Sequence, residues 1–176
     1  MERAVNIRRC RRTGAFVLNP EGTFRGYGGY VGVNPYRELP ADASPAELGA
    51  LVVELLSLSG PTGIPIAEAR GFLRDSADEE TRRIRAAHGL DAPRLSTAAL
   101  ARRFASAAVE LRHGQRSWRV QGFRYDPRLR SESGADIEPV RVRHRDGAVA
   151  LGTVVRGVLG AGPAEPAAAP DRGGVS

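Results

Sequence analysis

The residue types that carry out most protein chemistry are sparse in this chain. It contains three histidines, His88, His113 and His144, and one cysteine, Cys10. No histidine has a second ligand at the spacing of a metal site, and Cys10 has no histidine or cysteine beside it, so zinc binding is not predicted. Arginines on both sides of Cys10 would lower the pKa of its thiol, but an ordinary cysteine on a strand is the favoured interpretation. This set predicts no enzyme, and we expect no cofactor.

A glycine-rich segment, residues 26–32, has the composition of a phosphate-binding loop. In a dinucleotide-binding fingerprint the glycines follow a strand and open a helix, whereas here they precede a predicted strand. The chain also has no lysine with which to complete a P-loop. A loop between antiparallel strands is therefore favoured. Its two tyrosines, Tyr27 and Tyr30, would suit a contact surface, because tyrosine supplies contact area at a low entropic cost.

An acidic cluster near the middle of the chain is a second candidate for binding. It consists of Asp75, Asp78, Glu79 and Glu80. No carboxylate pair elsewhere suggests general acid–base catalysis. Two interpretations stay open at this point: acids at the start of a helix, where they favour the helix dipole, or a face that meets a basic partner.

Charge is segregated along the sequence. The net charge is +6, and all 26 basic residues are arginine, a bias that the base composition of a genome can produce. Residues 38–80 contain nine acidic residues and two arginines, whereas residues 81–145 contain fifteen arginines and six acidic residues. This asymmetry favours a charged partner. In the basic part, arginines interleave with aromatic residues, as in platforms for single-stranded nucleic acid, and the candidates are Arg116, Trp118, Arg119, Arg124 and Tyr125.

Length and composition bound the class of protein. A chain of 176 residues with 41 % hydrophobic residues is expected to form one domain with one core. No apolar run approaches the roughly 20 residues that span a bilayer, and no apolar stretch follows the basic N-terminus as in a secretory signal. One cysteine allows no intramolecular disulfide. We therefore expect a cytoplasmic protein without membrane association.

The elements that must position these residues begin with strands and one clear helix. Ser44 is a good N-cap, Pro45 suits the first turn and Glu47 completes a capping box. Apolar residues at helical spacing continue to Leu58, and Gly60 followed by proline ends the helix. Before it, short apolar runs predict strands at 5–7, 15–18 and 30–33, with turns between them that include 19–22.

Helices and strands alternate again in the rest of the chain. Short helical patterns predict a helical insert, with helices near 66–73, 79–88 and 97–104. Strand signals return at 107–112, 117–125 and 137–142, and a last helix is predicted from about 146 to 159. After Gly160 the composition of glycine, proline and alanine predicts a disordered tail, 161–176.

The sequence of the first long helix resembles that of the last helix. Ala150–Leu159 can be laid on Glu47–Leu56, with coincident apolar positions and a shared Leu-Gly pair, and each helix follows a group of short strands. We interpret this as a duplication. It predicts an α+β fold in which two antiparallel strand groups are each followed by a helix, with sheets that have the helices packed on one face. The halves would span about 4–60 and 104–160, with the insert at 64–103, in a single domain 1–160.

This layout resembles the immunity proteins of bacterial contact-dependent growth inhibition systems (the CdiI type). The resemblance covers about residues 4–160. The strand group leads to the helix beginning Pro-Ala-Glu-Leu-Gly-Ala-Leu, and that helix runs into Gly-Pro-Thr-Gly-Ile-Pro, residues 60–65. Ala-Ala-His-Gly-Leu, residues 86–90, then precedes the apolar segment 104–111, and the last helix with Leu151-Gly152 closes the domain.

The resemblance implies a cytoplasmic protein that binds the toxic C-terminal domain of an effector. Such toxins are often nucleases, and the immunity protein blocks the active site or the path of the substrate. Some members resemble the Whirly fold, whose strands-then-helix unit is duplicated, as the two similar helices suggest for this chain. Immunity proteins against basic nucleases are usually acidic, whereas this chain is basic. Its acidic segment 38–80 would then supply the contact face, and the residues chosen for it are Asp75, Asp78, Glu79 and Glu80 with Tyr27 and Tyr30.

Overall fold

The structure is a computed structural model that describes residues 2–90, 96–126, 128, 131–134 and 137–160, with the backbone alone at 131 and 132. The expected tail, 161–176, lies outside these residues. Within them, nine strands and five α-helices form an α+β arrangement, and the predicted class is confirmed. The helices of this described part are too short or too polar to cross a membrane.

The order of elements is strands, a helix, a helical insert, strands and a final helix. The strands are β1 (Arg3–Cys10), β2 (Phe16–Arg25), β3 (Tyr30–Gly32), β4 (Arg37–Leu39), β5 (Gly60–Pro65), β6 (Phe104–Leu111), β7 (Ser117–Asp126), β8 (Ser131–Ser133) and β9 (Val140–Arg143). The helices are α1 (Pro45–Leu58), α2 (Ala69–Asp75), α3 (Glu79–Ala87), α4 (Thr97–Arg103) and α5 (Gly147–Val158). Two 3-10 turns, Ile66–Glu68 and His144–Asp146, precede α2 and α5.

The strands form one sheet in which β1 and β6 are the central pair. The order is β3-β2-β1-β6-β7-β8, with β4 and β5 also paired to β2 and β9 paired to β7. At the centre, Asn6 lies opposite Ala108 and Ile7 opposite Ala107. Among the described strands, the pairings are antiparallel apart from β5, which runs parallel to the far end of β2. The curvature of this sheet wraps it around the helices α1 and α5.

The two halves of the sheet correspond strand by strand. β1 and β6 each have eight residues, and β2 and β7 each have ten. β4 pairs with the first part of β2 as β9 does with β7, while β3 and β8 pair with the last parts. The helix α1 follows β4, and α5 follows β9. The predicted pair of strand-then-helix halves is confirmed, and α2, α3 and α4 form the insert between them.

The start of α1 is capped as the sequence predicts. The backbone N–H of Glu47 donates to the Ser44 hydroxyl at 3.2 Å, and the Glu47 carboxylate accepts from the backbone N–H of Ser44 at 2.8 Å. The helix ends at Leu58, close to the predicted stop. What the sequence reasoning missed is that Gly60–Pro65 then forms β5, because a parallel pairing with β2 leaves no local signal in the strand itself.

The main core lies between the sheet and the helices α1 and α5. Leu48, Val52 and Leu55 of α1 and Leu151 and Val155 of α5 are fully buried there. They pack on the inward side chains of the four long strands and of β9, which are Val5, Ile7, Phe16, Leu18, Ala107, Val109, Trp118, Val120 and Val142. Burial of this apolar area is the main favourable contribution to folding.

Paired glycines allow α1 and α5 to cross in close contact. A Cβ atom added at Gly49 would lie 1.8 Å from the carbonyl oxygen of Ala148, and one added at Gly152 would lie 1.9 Å from that of Pro45. Each glycine therefore touches the backbone of the other helix, in a nearly symmetric contact. This close contact between the two helix backbones explains why both helices contain the same Leu-Gly pair.

The turn predicted at 19–22 is wrong, because β2 runs straight through these residues. Pro20 is tolerated where β4 ends and β3 begins along the edge of β2. Its carbonyl accepts from the N–H of Val33 at 2.8 Å, on the side of β2 that faces away from β1. Because the N–H and C=O of one strand residue point to the same side, the missing N–H of Pro20 also lies on that side. The pairing with β1 therefore loses no hydrogen bond. The last strand also begins later than expected, at Val140, and the three-residue strands β4 and β8 were not predicted.

Candidate protein-binding surface

The acidic residues lie at the junction of α2 and α3, where the insert packs on the far end of β2. A second, smaller core of Phe24, Val33 and Ala69 joins these elements. The ring of Phe72 on α2 packs edge-on against Phe24, with centroids 6.0 Å apart at 74°. This packing holds α2 on the sheet and thereby positions the junction that follows it.

The loop after β3 ties the junction to the sheet by hydrogen bonds. The Asn34 side-chain amide donates to the carbonyl of Leu73 at 2.7 Å and to the hydroxyl of Ser76 at 2.9 Å. The backbone N–H of Tyr36 donates to the hydroxyl of Thr81, which is fully buried, at 3.0 Å. The polypeptide around the acidic residues is thus held at both ends.

Asp78 is the N-cap of α3 and is also ion-paired. Its carboxylate accepts from the backbone N–H of Thr81 at 2.7 Å and lies 3.1 Å from the guanidinium of Arg37 on β4. These bonds, first those with Thr81 and then that with Arg37, lower the pKa of Asp78 to about 2. Arg37 is also 3.3 Å from Glu80. The two carboxylates therefore share one neutralising partner.

Asp75 and Glu79 complete an exposed acidic surface. The side chain of Asp75 is 67 % exposed and bonds to Arg74 at 2.8 Å, which lowers the pKa of the carboxyl. Glu79 is exposed in the first turn of α3. We call Asp75, Asp78, Glu79 and Glu80 the acidic junction. It includes the start of a helix, as one of the two sequence interpretations proposed, while its role as a contact face stays a prediction.

Of the two predicted contact tyrosines, Tyr27 lies in the loop between β2 and β3, and Tyr30 is the first residue of β3. Residues 26–29 of the glycine-rich segment form a loop between the antiparallel strands β2 and β3, as predicted, and its last three residues are β3 itself. Tyr27 is 50 % exposed in this loop. Tyr30 opens β3, and its hydroxyl donates to Glu2 at 2.8 Å; burial together with this bond raises the pKa of Tyr30 to about 12. In the described structure neither tyrosine is hydrogen-bonded to an acid of the junction.

The residues proposed for nucleic-acid stacking do not form one face. Trp118 is 8 % exposed and belongs to the main core, while Arg119, on the opposite face of β7, bonds to Glu110 at 2.8 Å and Gln121 at 2.9 Å. Arg124 is exposed, Tyr125 is half-buried, and Arg116 lies before β7 in a separate cleft with Arg143 and Arg145. Because the tryptophan is buried under α5, it offers no ring to a base.

Sequence reasoning missed a cleft that four arginines line. Arg11 and Arg12 follow β1, and Arg102 and Arg103 end α4; the pairing of Cys10 with Phe104 brings the two pairs together. The cleft has a volume of about 610 Å³. The repeated Arg-Arg dipeptides were visible in the sequence, but only the β1–β6 register shows that they meet. We call this feature the arginine cleft.

His88 and Cys10 also line the arginine cleft. His88 directly follows α3, and its Nε2 lies 2.7 Å from the carboxylate of Glu38. Burial raises the pKa of the Cys10 thiol, but hydrogen bonds from Thr13 and Arg12 outweigh this, so the net shift is downward. In the part of the chain that the structure describes, no three side chains of the histidine, cysteine or acidic types come together as metal ligands.

Taken together, these features define an α+β protein with two related strand–helix halves, an acidic junction and an arginine cleft. No protein-family model matches the sequence, and no curated protein matches it either. Solved structures do share the fold. A protein of unknown function from Neisseria meningitidis is similar with a TM-score of 0.65 at 17 % identity, over 91 % of this chain and 94 % of that one.

A second structural neighbour is a chain of a CdiA-CT/CdiI toxin and immunity complex from Yersinia pseudotuberculosis. It is similar with a TM-score of 0.64 at 14 % identity, over 92 % of this chain and 97 % of that one. At such identities the likeness shows the fold. It extends over nearly the whole described structure, both halves and the insert included.

Proposed function

We propose that this protein is an immunity protein, which binds the toxic C-terminal domain of a cognate contact-dependent growth inhibition effector and neutralises it. The observation that carries the proposal is the fold shared with a chain of a toxin and immunity complex over 92 % of this protein. The function needs no catalytic group, because a stoichiometric inhibitor acts by occupying a surface. The proposal includes a cytoplasmic location for this protein and a nuclease as the toxin.

The acidic junction is the surface we propose for the toxin. A nuclease binds phosphates through basic residues, and a basic active site is attracted to a fixed patch of carboxylates. Asp75, Asp78 and Glu80 keep side-chain exposures of 67, 47 and 48 % despite their ion pairs. Hydrogen bonds to Leu73 and Ser76 hold this patch in place, so little ordering entropy is lost on binding. Tyr27, which is half exposed, and Tyr30 are proposed as further contacts.

The test is a binding measurement between the full chain and the toxin domain encoded beside it. We expect a one-to-one complex that abolishes toxicity when both are expressed together. The variant Asp75→Arg/Glu79→Arg should weaken the complex by at least about tenfold, mainly through slower association. It spares Asp78, so the capping of α3 is preserved.

A control reverses the charge of a single residue on another surface helix. Glu54 is exposed on α1, and Glu54→Arg should change the affinity by less than about twofold, as expected of a charge outside the interface. A complex that both variants weaken equally would move the interface away from the acidic junction while leaving the immunity function in place. A protein that ignores the toxin and instead retains nucleic acid in a salt-sensitive manner would refute the immunity function itself.

A further inference from the structure

The arginine cleft is surrounded by the positive charges of four arginine side chains. Arg11, Arg12, Arg102 and Arg103 are all exposed, and within the described part of the chain none of them forms an ion pair. Arg11 is held in place by a bond from its Nε to the carbonyl of Ala101 at 3.2 Å. Four guanidinium groups around one concave space create a strongly positive potential there.

The corresponding place in the other half shows what a neutralised arrangement looks like. Arg112 directly follows β6 as Arg11 follows β1. Its guanidinium lies 3.2 Å from Glu2 and 4.0 Å from Glu110. The small cleft beside it, lined by Arg3 and His113 among others, has a volume of about 260 Å³. In the turn after β6, carboxylates thus neutralise the arginine. In the corresponding turn after β1, the arginines line an open cleft and keep their positive charge.

The lining of the arginine cleft points to the chemistry of a ligand. Its volume of about 610 Å³ lies in the range of small-molecule sites, roughly 300 to 1,000 Å³. Ala86 and Ala87, both exposed, provide apolar wall, and His88 is fixed there by Glu38 at 2.7 Å. Guanidinium forks match phosphate oxygens bidentately, and four of them suit an anion with more than one phosphate charge.

We propose that the arginine cleft binds a small organic phosphate that carries at least two phosphate groups, such as a nucleoside diphosphate. The phosphates would lie among the four guanidiniums, and the organic part would lie against Ala86 and Ala87 of α3. This proposal is independent of toxin binding, because the cleft is at the C-terminal end of α3 and the acidic junction is at its N-terminal end.

Calorimetric titration of the full chain with ADP and with inorganic pyrophosphate tests the proposal. We expect saturable binding of both, tighter for ADP because of the apolar wall. The variant Arg12→Gln/Arg102→Gln should weaken both by at least about tenfold, since charge-assisted bonds are lost. The matched control, Arg116→Gln/Arg143→Gln, removes the same charge from the separate cleft beside β7 and should change the affinities by less than about twofold.

Several outcomes would overturn the proposal. Equal weakening by both double variants would mean a general attraction of anions to a basic protein. Pyrophosphate binding that equals that of ADP would remove the organic part of the ligand from the site, and no saturation with either would remove the site. A single-stranded oligonucleotide that displaces ADP and binds far more tightly would make the cleft part of a nucleic-acid surface.

Thermal unfolding at the wild-type temperature would show that both variants are folded.

Discussion

The two halves of the molecule share one scaffold but differ in what is built on it. In each, a long antiparallel pair is followed by two short strands and a helix, and the helices α1 and α5 cross through their glycines. The first half then carries the insert, whose α3 is bound to Arg37 and Glu38 of β4. The second half has Val140 at the start of β9, where the first has Arg37 at the start of β4.

The difference separates structural from functional constraints. The glycines of the helix crossing, Gly49 and Gly152, are the same in both halves, because the same close contact must be built from each helix. Positions at the turns and edges have diverged, so the open arginines and the acidic junction both belong to the first half or its insert. We therefore expect substitutions at the shared scaffold to have the largest effect on stability, and substitutions at the diverged positions to have smaller ones.

The helix crossing should tolerate substitution least. In Gly49→Ala the new methyl group would lie 1.8 Å from a backbone carbonyl of α5, and neither backbone can move without disturbing the core. We expect the free energy of unfolding to fall by about 3 kcal/mol, at the upper end of typical overpacking. Urea unfolding monitored by circular dichroism measures this. Gly152→Ala should do the same if the halves are equivalent.

A glycine of the same helix provides the control for this prediction. No neighbouring atom lies within 4 Å of a Cβ added at Gly157, an exposed position of α5. Gly157→Ala should therefore raise stability by about 0.5 to 1 kcal/mol, the gain in helix propensity. A loss at Gly157 as large as at Gly49 would show that the crossing is not what limits substitution.

Arg156 links the second half to the first. It is 6 % exposed, donates a hydrogen bond to the carbonyl of Ala43, and has its guanidinium 5.5 Å from the ring centroid of Phe16. Arg156→Ala should lower the free energy of unfolding by about 2 kcal/mol, because a buried carbonyl loses its donor. Arg145→Ala, at an exposed residue of the same half, should change it by less than about 0.5 kcal/mol. Similar values for the two in denaturant titrations would contradict the prediction.

The helix starts test the asymmetry between the halves directly. The capping box of Ser44 begins α1, whereas Asp146 caps no N–H of α5 and accepts instead from the backbone N–H of Arg143, at 3.2 Å, in the 3-10 turn before it. We expect Ser44→Ala to lower the free energy of unfolding by about 1 kcal/mol. Asp146→Ala should lower it by less than half as much, as measured by the same urea titrations. Equal losses would mean that both helices depend on their caps in the same way.

Sequence reasoning predicted the parts of the fold that have local causes. The capping box at Ser44 and Glu47 and the shared Leu-Gly pair were visible because helix starts and helix crossings restrict residue type at fixed spacing. The strand–helix order of the two halves followed from them. The acidic cluster was also found, since consecutive acids need no tertiary information.

The parts that were missed depend on contacts between distant segments. Pro20 was taken for a turn, but its carbonyl bonds to Val33 and the strand continues. Trp118 was taken for a stacking residue, but its ring is buried because β7 packs that face against the core. The arginine cleft needs Cys10 and Phe104 to be paired, a register that no single segment encodes. Surface sites in this protein thus follow from topology more than from composition.

The smallest effect we predict is the pH dependence that Asp78 contributes through α3. Its pKa is lowered from 3.8 to about 2, first by the bonds with Thr81 and then by Arg37. The folded state therefore favours the ionised carboxylate, and this stabilisation is present above about pH 4 and is lost as the pH falls towards 2. In Asp78→Asn the amide still caps the helix but carries no charge. The unfolding free energies of the two proteins should differ at neutral pH and converge in acid, whereas a difference that persists to pH 2 would mean that the charge of Asp78 is not what stabilises the junction.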